Sequence, residues 1–231
     1  MKELNPFIKP EIAKEWVKTL DYEHAQESPM DRKKIIYPYI LEWIKQNNIS
    51  EKIVDIGSGE GFLSTQVPED VKYIGIEPSK ALVEVSIERY KKEDRQFNIG
   101  SAYDTGLEDE NTSAIVSVMV WFHLKDLDAS AKEVFRNLKP GGKFLIITSN
   151  PKARPIWESF YDNLVVDGKT LSGTVNTPGF PMTESIIYVH TNEEVVSSFE
   201  SAGLKVDKVE SIGSPTEEDN KLFVAISGYK P

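Results

Sequence analysis

The stretch IVDIGSGEGFLS, Ile53 to Ser64, followed by YIGIEPS from Tyr73 to Ser79, constrains the fold most. Ile53, Val54 and Ile56 predict a short buried strand. Gly57, Gly59 and Gly61 then make a turn that residues with a Cβ adopt only at a cost. A turn of this kind, opening a helix, presents backbone N–H groups and the positive helix end to a bound ligand. Glu77 ends the second strand, 20 residues after Gly57. A carboxylate there can accept both ribose hydroxyls of an adenosine-containing ligand. The glycines alone would also fit a tight strand-to-helix connection, and it is the spaced Glu77 that argues for a ligand.

Glycine spacing narrows the choice of ligand. A dinucleotide fingerprint, G-x-G-x-x-G, needs its third glycine where Phe62 stands, and here it falls one step early at Gly61. This G-x-G-x-G behind Asp55 resembles motif I of the class I S-adenosylmethionine (SAM)-dependent methyltransferases of the small-molecule type. Further segments are similar to that family in order: Gly100-Ser101-Ala102 after a third strand FNI, a fourth strand IVSVMVW from Ile115 to Trp121, and EVFRNLKPGGKFLIIT from Glu133 to Thr148. TNEEVVSSFESAGLKVDKVES, Thr191 to Ser211, resembles the family's last helix and sixth strand, and KLFVAISGYKP its seventh. The likeness runs from Lys52 to Pro231.

The resemblance implies a Rossmann-like α/β fold, a seven-stranded mostly parallel sheet with helices on both faces and an antiparallel last strand. It implies SAM as cofactor, held by Asp55, Gly57, Ser58, Gly59, Gly61, Glu77, Pro78, Ser101, Ala102, Tyr103, Val120, Trp121 and Phe122. The chain departs from the family at Ser101, where an adenine-contacting acid is usual, and at Ser113-Ala114, where an aromatic-Asp pair often opens the fourth strand. The first departure leaves adenine recognition to Ser101 or to backbone.

Two amphipathic helices are expected before the first strand, Glu11 to Trp16 and Asp31 to Gln46, with the polar segment TLDYEHAQESPMD between them as a loop or lid. Ser79 is expected to cap a helix over Lys80 to Lys92, and Asp128 the next one, broken by Lys139-Pro140-Gly141-Gly142. Thr191 and Glu194 form a capping box. The organisation predicted is an N-terminal helical cap over 1–50 and a SAM-binding core over 51–231. An acceptor-site insertion over 150–190 interrupts that core, where LVVDGKTLSGTV carries the hairpin signal Asp167-Gly168 and ESIIYVH can pair with it. An edge hairpin or dimer contact is the alternative for this insertion.

Composition bounds the partners. Zero cysteines exclude disulfides, thiolate catalysis and cysteine-ligated zinc, and no metal is expected. A formal net charge of −10 argues against a nucleic-acid partner. The longest apolar runs have strand length and the N-terminus shows no export pattern, so a cytoplasmic protein with no membrane partner is expected. Oligomeric state is not legible.

SAM carries its own leaving group, so the expected chemistry is alignment and water exclusion around methyl transfer to a small-molecule O, N or C nucleophile. A base is required only for an acceptor that enters protonated. His123, after the fourth strand, is the candidate base, with a pocket-lining ring as the alternative. Tyr22, His24, Arg32, Trp157 and His190 are candidate acceptor contacts, each with a packing or surface role as the alternative; Arg32 is also a candidate partner for the cofactor carboxylate. A methyltransferase acting on protein or RNA, and a SAM-binding regulator without turnover, are the competing functions.

Overall fold

The computed structural model describes residues 5–25, 32–176, 183–213 and 221–231. Helix α1 (Pro10–Ala25) is followed by α2 (Ile36–Gln46), whose Ile36, Tyr37, Ile40, Trp43 and Ile44 form one buried face. Strand β1 (Lys52–Ile56) is buried over its last four residues, as a central strand covered on both sides must be. Then come β2 (Lys72–Glu77), α3 (Lys80–Tyr90), β3 (Arg95–Ile99), β4 (Thr112–Val118), α4 (Leu127–Asn137) and β5 (Leu138–Ser149). Helix α5 (Arg154–Glu158) leads into β6 (Tyr161–Asp167), β7 (Thr170–Val175) and β8 (Thr183–Tyr188). The chain closes with α6 (Asn192–Ser201), β9 (Lys205–Ile212) and β10 (Phe223–Tyr229).

Seven strands form one sheet in the order β3-β2-β1-β4-β5-β10-β9. β10 runs antiparallel to both β5 and β9, while β1, β2, β3, β4 and β5 pair parallel. Chain order therefore reverses between β1 and β4, and a crevice opens there at the carboxyl ends of the strands. One side of the sheet packs against α2 and α3 through Ile53, Tyr73, Val83 and Trp43. The other packs against α4 and α6 through Val54, Ile56, Val134 and Phe199, with Phe144 and Phe199 stacked at 4.6 Å. Among the described residues no helix is long and apolar enough to cross a membrane.

The insertion forms its own antiparallel sheet, β6-β7-β8, with Gly168 in the left-handed region (φ +57) at the predicted hairpin turn. Several boundaries move from the sequence reading. α1 extends through Ala25, so Tyr22 and His24 lie on helix rather than in a loop; their side chains, and residues 26–31 of the expected lid, lie outside the described residues. α2 begins at Ile36 instead of Asp31, after a turn at 32–35. Asp126, not Asp128, caps α4, accepting from the Ala129 N–H at 2.9 Å. The Lys139–Gly142 segment belongs to β5 itself, with a register shift opposite Thr112 and Ala114. The expected caps at Ser79 and at Thr191 with Glu194 are present.

The glycine loop opens a four-residue 3-10 turn, Phe62–Thr65, rather than a long helix. Pro68 disfavours helix at the residue before it. Buried Arg95 of β3 then takes the carbonyls such a helix would have used: Ser64 at 2.9 Å, Val67 at 3.0 Å, Pro68 at 2.9 Å and Val71 at 2.7 Å. With so short a turn, anion attraction by a helix dipole is weak, and recognition falls on individual N–H groups and side chains.

Candidate active site

The loop Gly57-Ser58-Gly59-Glu60-Gly61 crosses the crevice with all three glycines at positive φ. Two of them have no room for a side chain. A Cβ on Gly57 would stand 2.2 Å from Val120 Cγ2, and one on Gly61 would stand 2.7 Å from Phe97 Cε1. At Gly59 a Cβ would meet no protein atom within 4 Å. The loop is thus pressed against its own fold at both ends and faces open space in the middle. Ser58 is seated because Gly75 of β2 leaves room, and its buried Oγ has no hydrogen-bond partner.

Three buried carboxyls surround this loop. Glu77, 6 % exposed, accepts from the Gly59 N–H at 3.1 Å and the Ser79 N–H at 2.9 Å. Burial pushes its pKa up to about 7 against those two amides. Asp55 accepts from the Tyr73 hydroxyl at 2.6 Å on one oxygen, while its other oxygen is buried without a partner. Burial raises it to about 7 as well, the Tyr73 bond pulling down and Glu60 pushing up. Glu60, which the sequence reading passed over inside the motif it quoted, is 5 % exposed and also raised by burial, with Arg32 opposing.

The remaining predicted residues fall into three groups. Pro78 follows Glu77 directly, and Val120 packs on Gly57 after Met119, whose φ of +60 turns the chain at the end of β4. Such a conformation costs a bulky residue about 1–3 kcal/mol and is typical of functional sites. Ser101 Oγ accepts from the N–H groups of Tyr103 and Asp104, both at 3.2 Å, so it organises its own turn. Ala102 is buried with Leu124 and Leu127, and the Tyr103 hydroxyl accepts from Lys125 N–H at 3.1 Å. The Trp121 ring is fully buried, 5.8 Å from Phe199 on the α4 and α6 side.

On the acceptor side, Phe122 and Trp157 stack at 6.2 Å, and Phe7 meets His123 edge-on at 6.5 Å. His123 is bonded to the backbone of Ile186 in β8; burial, the larger influence, lowers its pKa to about 4. Phe7, missed in the sequence, is tied in by the Ser79 hydroxyl, which donates to its carbonyl. Behind it Ala13, Val17 and Trp16 of α1 pack on Leu82 of α3, and Arg89 holds Asp21 at 2.7 and 2.9 Å. Arg32 lies 5.3 Å above the Trp16 ring. His190 does not join this group: its Nε2 is 2.7 Å from the Leu124 carbonyl. It borders a groove of about 700 Å³ with Asp126, Lys169 and Glu194, on the α4 and α6 side.

An adenosine cofactor with an amino-acid tail suits these observations: open space at Gly59, the unpartnered Asp55 and Ser58 oxygens, and a carboxyl at the tip of β2. The sheet order, with the glycine loop after β1 and Glu77 at the tip of β2, is the fold shared with SAM-dependent methyltransferases of known structure. Residues 54–146 match the family described as a methyltransferase domain. An uncharacterized methyltransferase of Schizosaccharomyces pombe, C1347.09, is 26% identical over 77% of this chain and 66% of its own length. The chain spans about half to two thirds of the length of such curated relatives, 46%, 66% and 45% in three of them. Among solved structures, the PH0226 protein of Pyrococcus horikoshii OT3 superposes with a TM-score of 0.70 at 16% identity, covering 87% of this chain and 90% of that one. A SAM-dependent methyltransferase from Clostridium acetobutylicum ATCC 824 gives 0.66 at 12% identity, covering 84% and 90%.

Proposed function

We propose that the protein transfers the methyl group of SAM to a small-molecule acceptor held between the glycine loop and the cover formed by Phe7, Phe122, His123 and Trp157. The observation that carries this reading is that cover: aromatic rings from the N-terminal segment, the turn after β4 and the insertion meet over the carboxyl edge of the sheet. Bound SAM supplies a methyl group on a positively charged sulfur, and transfer leaves a neutral thioether. The acceptor gives an electron pair to carbon as the carbon–sulfur bond breaks, so the protein's task is to orient and to exclude water. Glu77 and the loop amides orient the cofactor end; Gly57, Ser58, Asp55, Pro78, Ser101, Ala102, Tyr103 and Val120 shape the surface around it. An acidic chain suits a small acceptor better than a polyanion. Residues 1–50 act as a cap and 150–190 as the acceptor-site insertion in this reading.

His123 lines the site as an uncharged ring rather than as its base. A pKa of about 4 leaves it neutral above pH 5, without repulsion toward a sulfonium, but makes it a weak proton acceptor. The acceptor must then enter with a free electron pair or lose its proton by its own acidity. Assaying S-adenosylhomocysteine formation across acceptor pools tests the function, with calorimetry against SAM and NAD as its binding arm. Tight NAD binding without SAM binding would overturn it. Once an acceptor is found, His123→Gln is expected to raise the acceptor KM and lower kcat by less than about tenfold, with the shape of the pH–rate profile unchanged from wild type. A loss of about a hundredfold in kcat with a vanished limb would restore His123 as base.

A further inference from the structure

Glu60 is a buried acid that the reaction as derived does not use. It stands in the loop between Gly59, which faces open space, and Gly61, which is packed against Phe97 and Ser86. Among the described residues, the groups facing it are Asp55 of β1, Tyr73 and Glu77 of β2, Asp21 of α1, Arg32 before α2, and Arg89 and Tyr90 of α3. Arg89 is held bidentate by Asp21, so that pair adds little net charge toward the loop. Among the described residues that leaves three carboxyls, each no more than 6 % exposed, opposed by the Arg32 guanidinium. One Asp55 oxygen is buried and unpartnered beside them. An enclosed excess of acid is costly unless it is protonated or a cation joins it.

We propose that Glu60 joins Asp55 and Glu77 in one carboxylate cradle that reads the cofactor's net positive charge, so that the sulfonium form loads in preference to the neutral thioether left after transfer. This rests on the reading of the site as a SAM site. SAM carries a carboxylate, an ammonium and a sulfonium, a net charge of +1; the demethylated product lacks the sulfonium and is neutral overall. The two differ by one methyl group and one charge, so shape alone separates them poorly while an acidic enclosure separates them by charge. With burial raising Asp55 and Glu77 to about 7, and Glu60 raised as well, loading the cation near neutrality also expels protons from the cradle. Product exchange is then favoured as pH rises.

Calorimetric titration of the full chain with SAM and with S-adenosylhomocysteine tests this. Between about pH 6 and about pH 8 the preference for SAM over the product is expected to rise about tenfold. Repeating the SAM titration near pH 7 in two buffers of different ionisation enthalpy should show about half to one proton released per cofactor bound. Glu60→Gln should cut the SAM preference about tenfold at the higher pH while moving product affinity less than about threefold, and Glu60→Asp should recover part of it. Loss of a merely structural contact would weaken both ligands alike and leave the pH slope in place. A wild-type preference that is independent of pH, with no proton release, overturns the proposal alone. Failure of both ligands to bind the wild type overturns the methyltransferase reading and this proposal with it. Should Glu60→Gln not fold, the wild-type pH slope and proton count decide.

Discussion

Gly57→Ala and Gly59→Ala, two residues apart in one loop, are expected to fail in opposite ways. At Gly57 the new methyl would stand 2.2 Å from Val120 Cγ2 on a backbone at φ +78. The left-handed conformation costs about 1–2 kcal/mol and the overpacking about 1–3 kcal/mol, so the loss is about 3 kcal/mol. For a domain of this size that lowers the melting temperature by about 6–12 °C. Val120→Ala removes the opposing methyls, and the double variant should recover about half the loss. At Gly59, φ is +56 and no protein atom lies within 4 Å of the added Cβ, so only the conformational cost of about 1 kcal/mol applies. The methyl would instead project into the space assigned to the cofactor, and SAM affinity should fall by at least about tenfold. Melting curves and SAM titrations of the three variants check this. A Gly59→Ala protein that melts early yet binds normally would make the loop a structural turn.

That contrast shows where the sequence was legible and where it was not. Glycine spacing, Glu77, the hairpin at Asp167-Gly168 and the capping box at Thr191 are local patterns, and each stands where local physics put it. The mostly parallel seven-stranded sheet and the antiparallel β10 came through likeness to a family, since buried parallel strands read alike from hydrophobicity alone. What was missed depends on residues distant in the chain. The helix expected after the loop is cut to one 3-10 turn partly by Arg95, about thirty residues downstream, taking its carbonyls. The side on which the Trp121 ring packs is set by Phe199 on α6, which local sequence does not show. Phe7 carried no signal until Ser79 and His123 were beside it. Glu60 was overlooked because a charged residue between two glycines reads as solvent-facing, whereas the folded loop buries it.

Glu77 ties stability and binding to the same carboxyl, with opposite signs. Its pKa is raised by burial from an ordinary carboxylate value to about 7 in the folded chain. The protonated form is thus the one the fold prefers, and its contribution is fully present below the unfolded pKa near 4.5 and lost as pH rises through about 7. Glu77→Gln removes that titration, so the melting temperature of variant relative to wild type, without cofactor, should climb between about pH 5 and about pH 8. The climb is of order 1–3 kcal/mol in stability. The same change costs binding. A single amide oxygen cannot accept as an ionised carboxylate does, and SAM affinity should fall about tenfold, corresponding to about 1–2 kcal/mol. Glu77→Ala goes further, leaving the Gly59 and Ser79 N–H groups buried without acceptors as well as the cofactor hydroxyls. Its affinity should drop about a hundredfold and its stability by about 1–3 kcal/mol near pH 5, a deficit that shrinks as pH rises because Ala, like Gln, removes the titration. Melting curves across pH, set beside SAM titrations, separate the two effects. If Glu77→Gln binds SAM as tightly as wild type, the carboxylate serves the loop amides alone and the ribose reading of Glu77 fails.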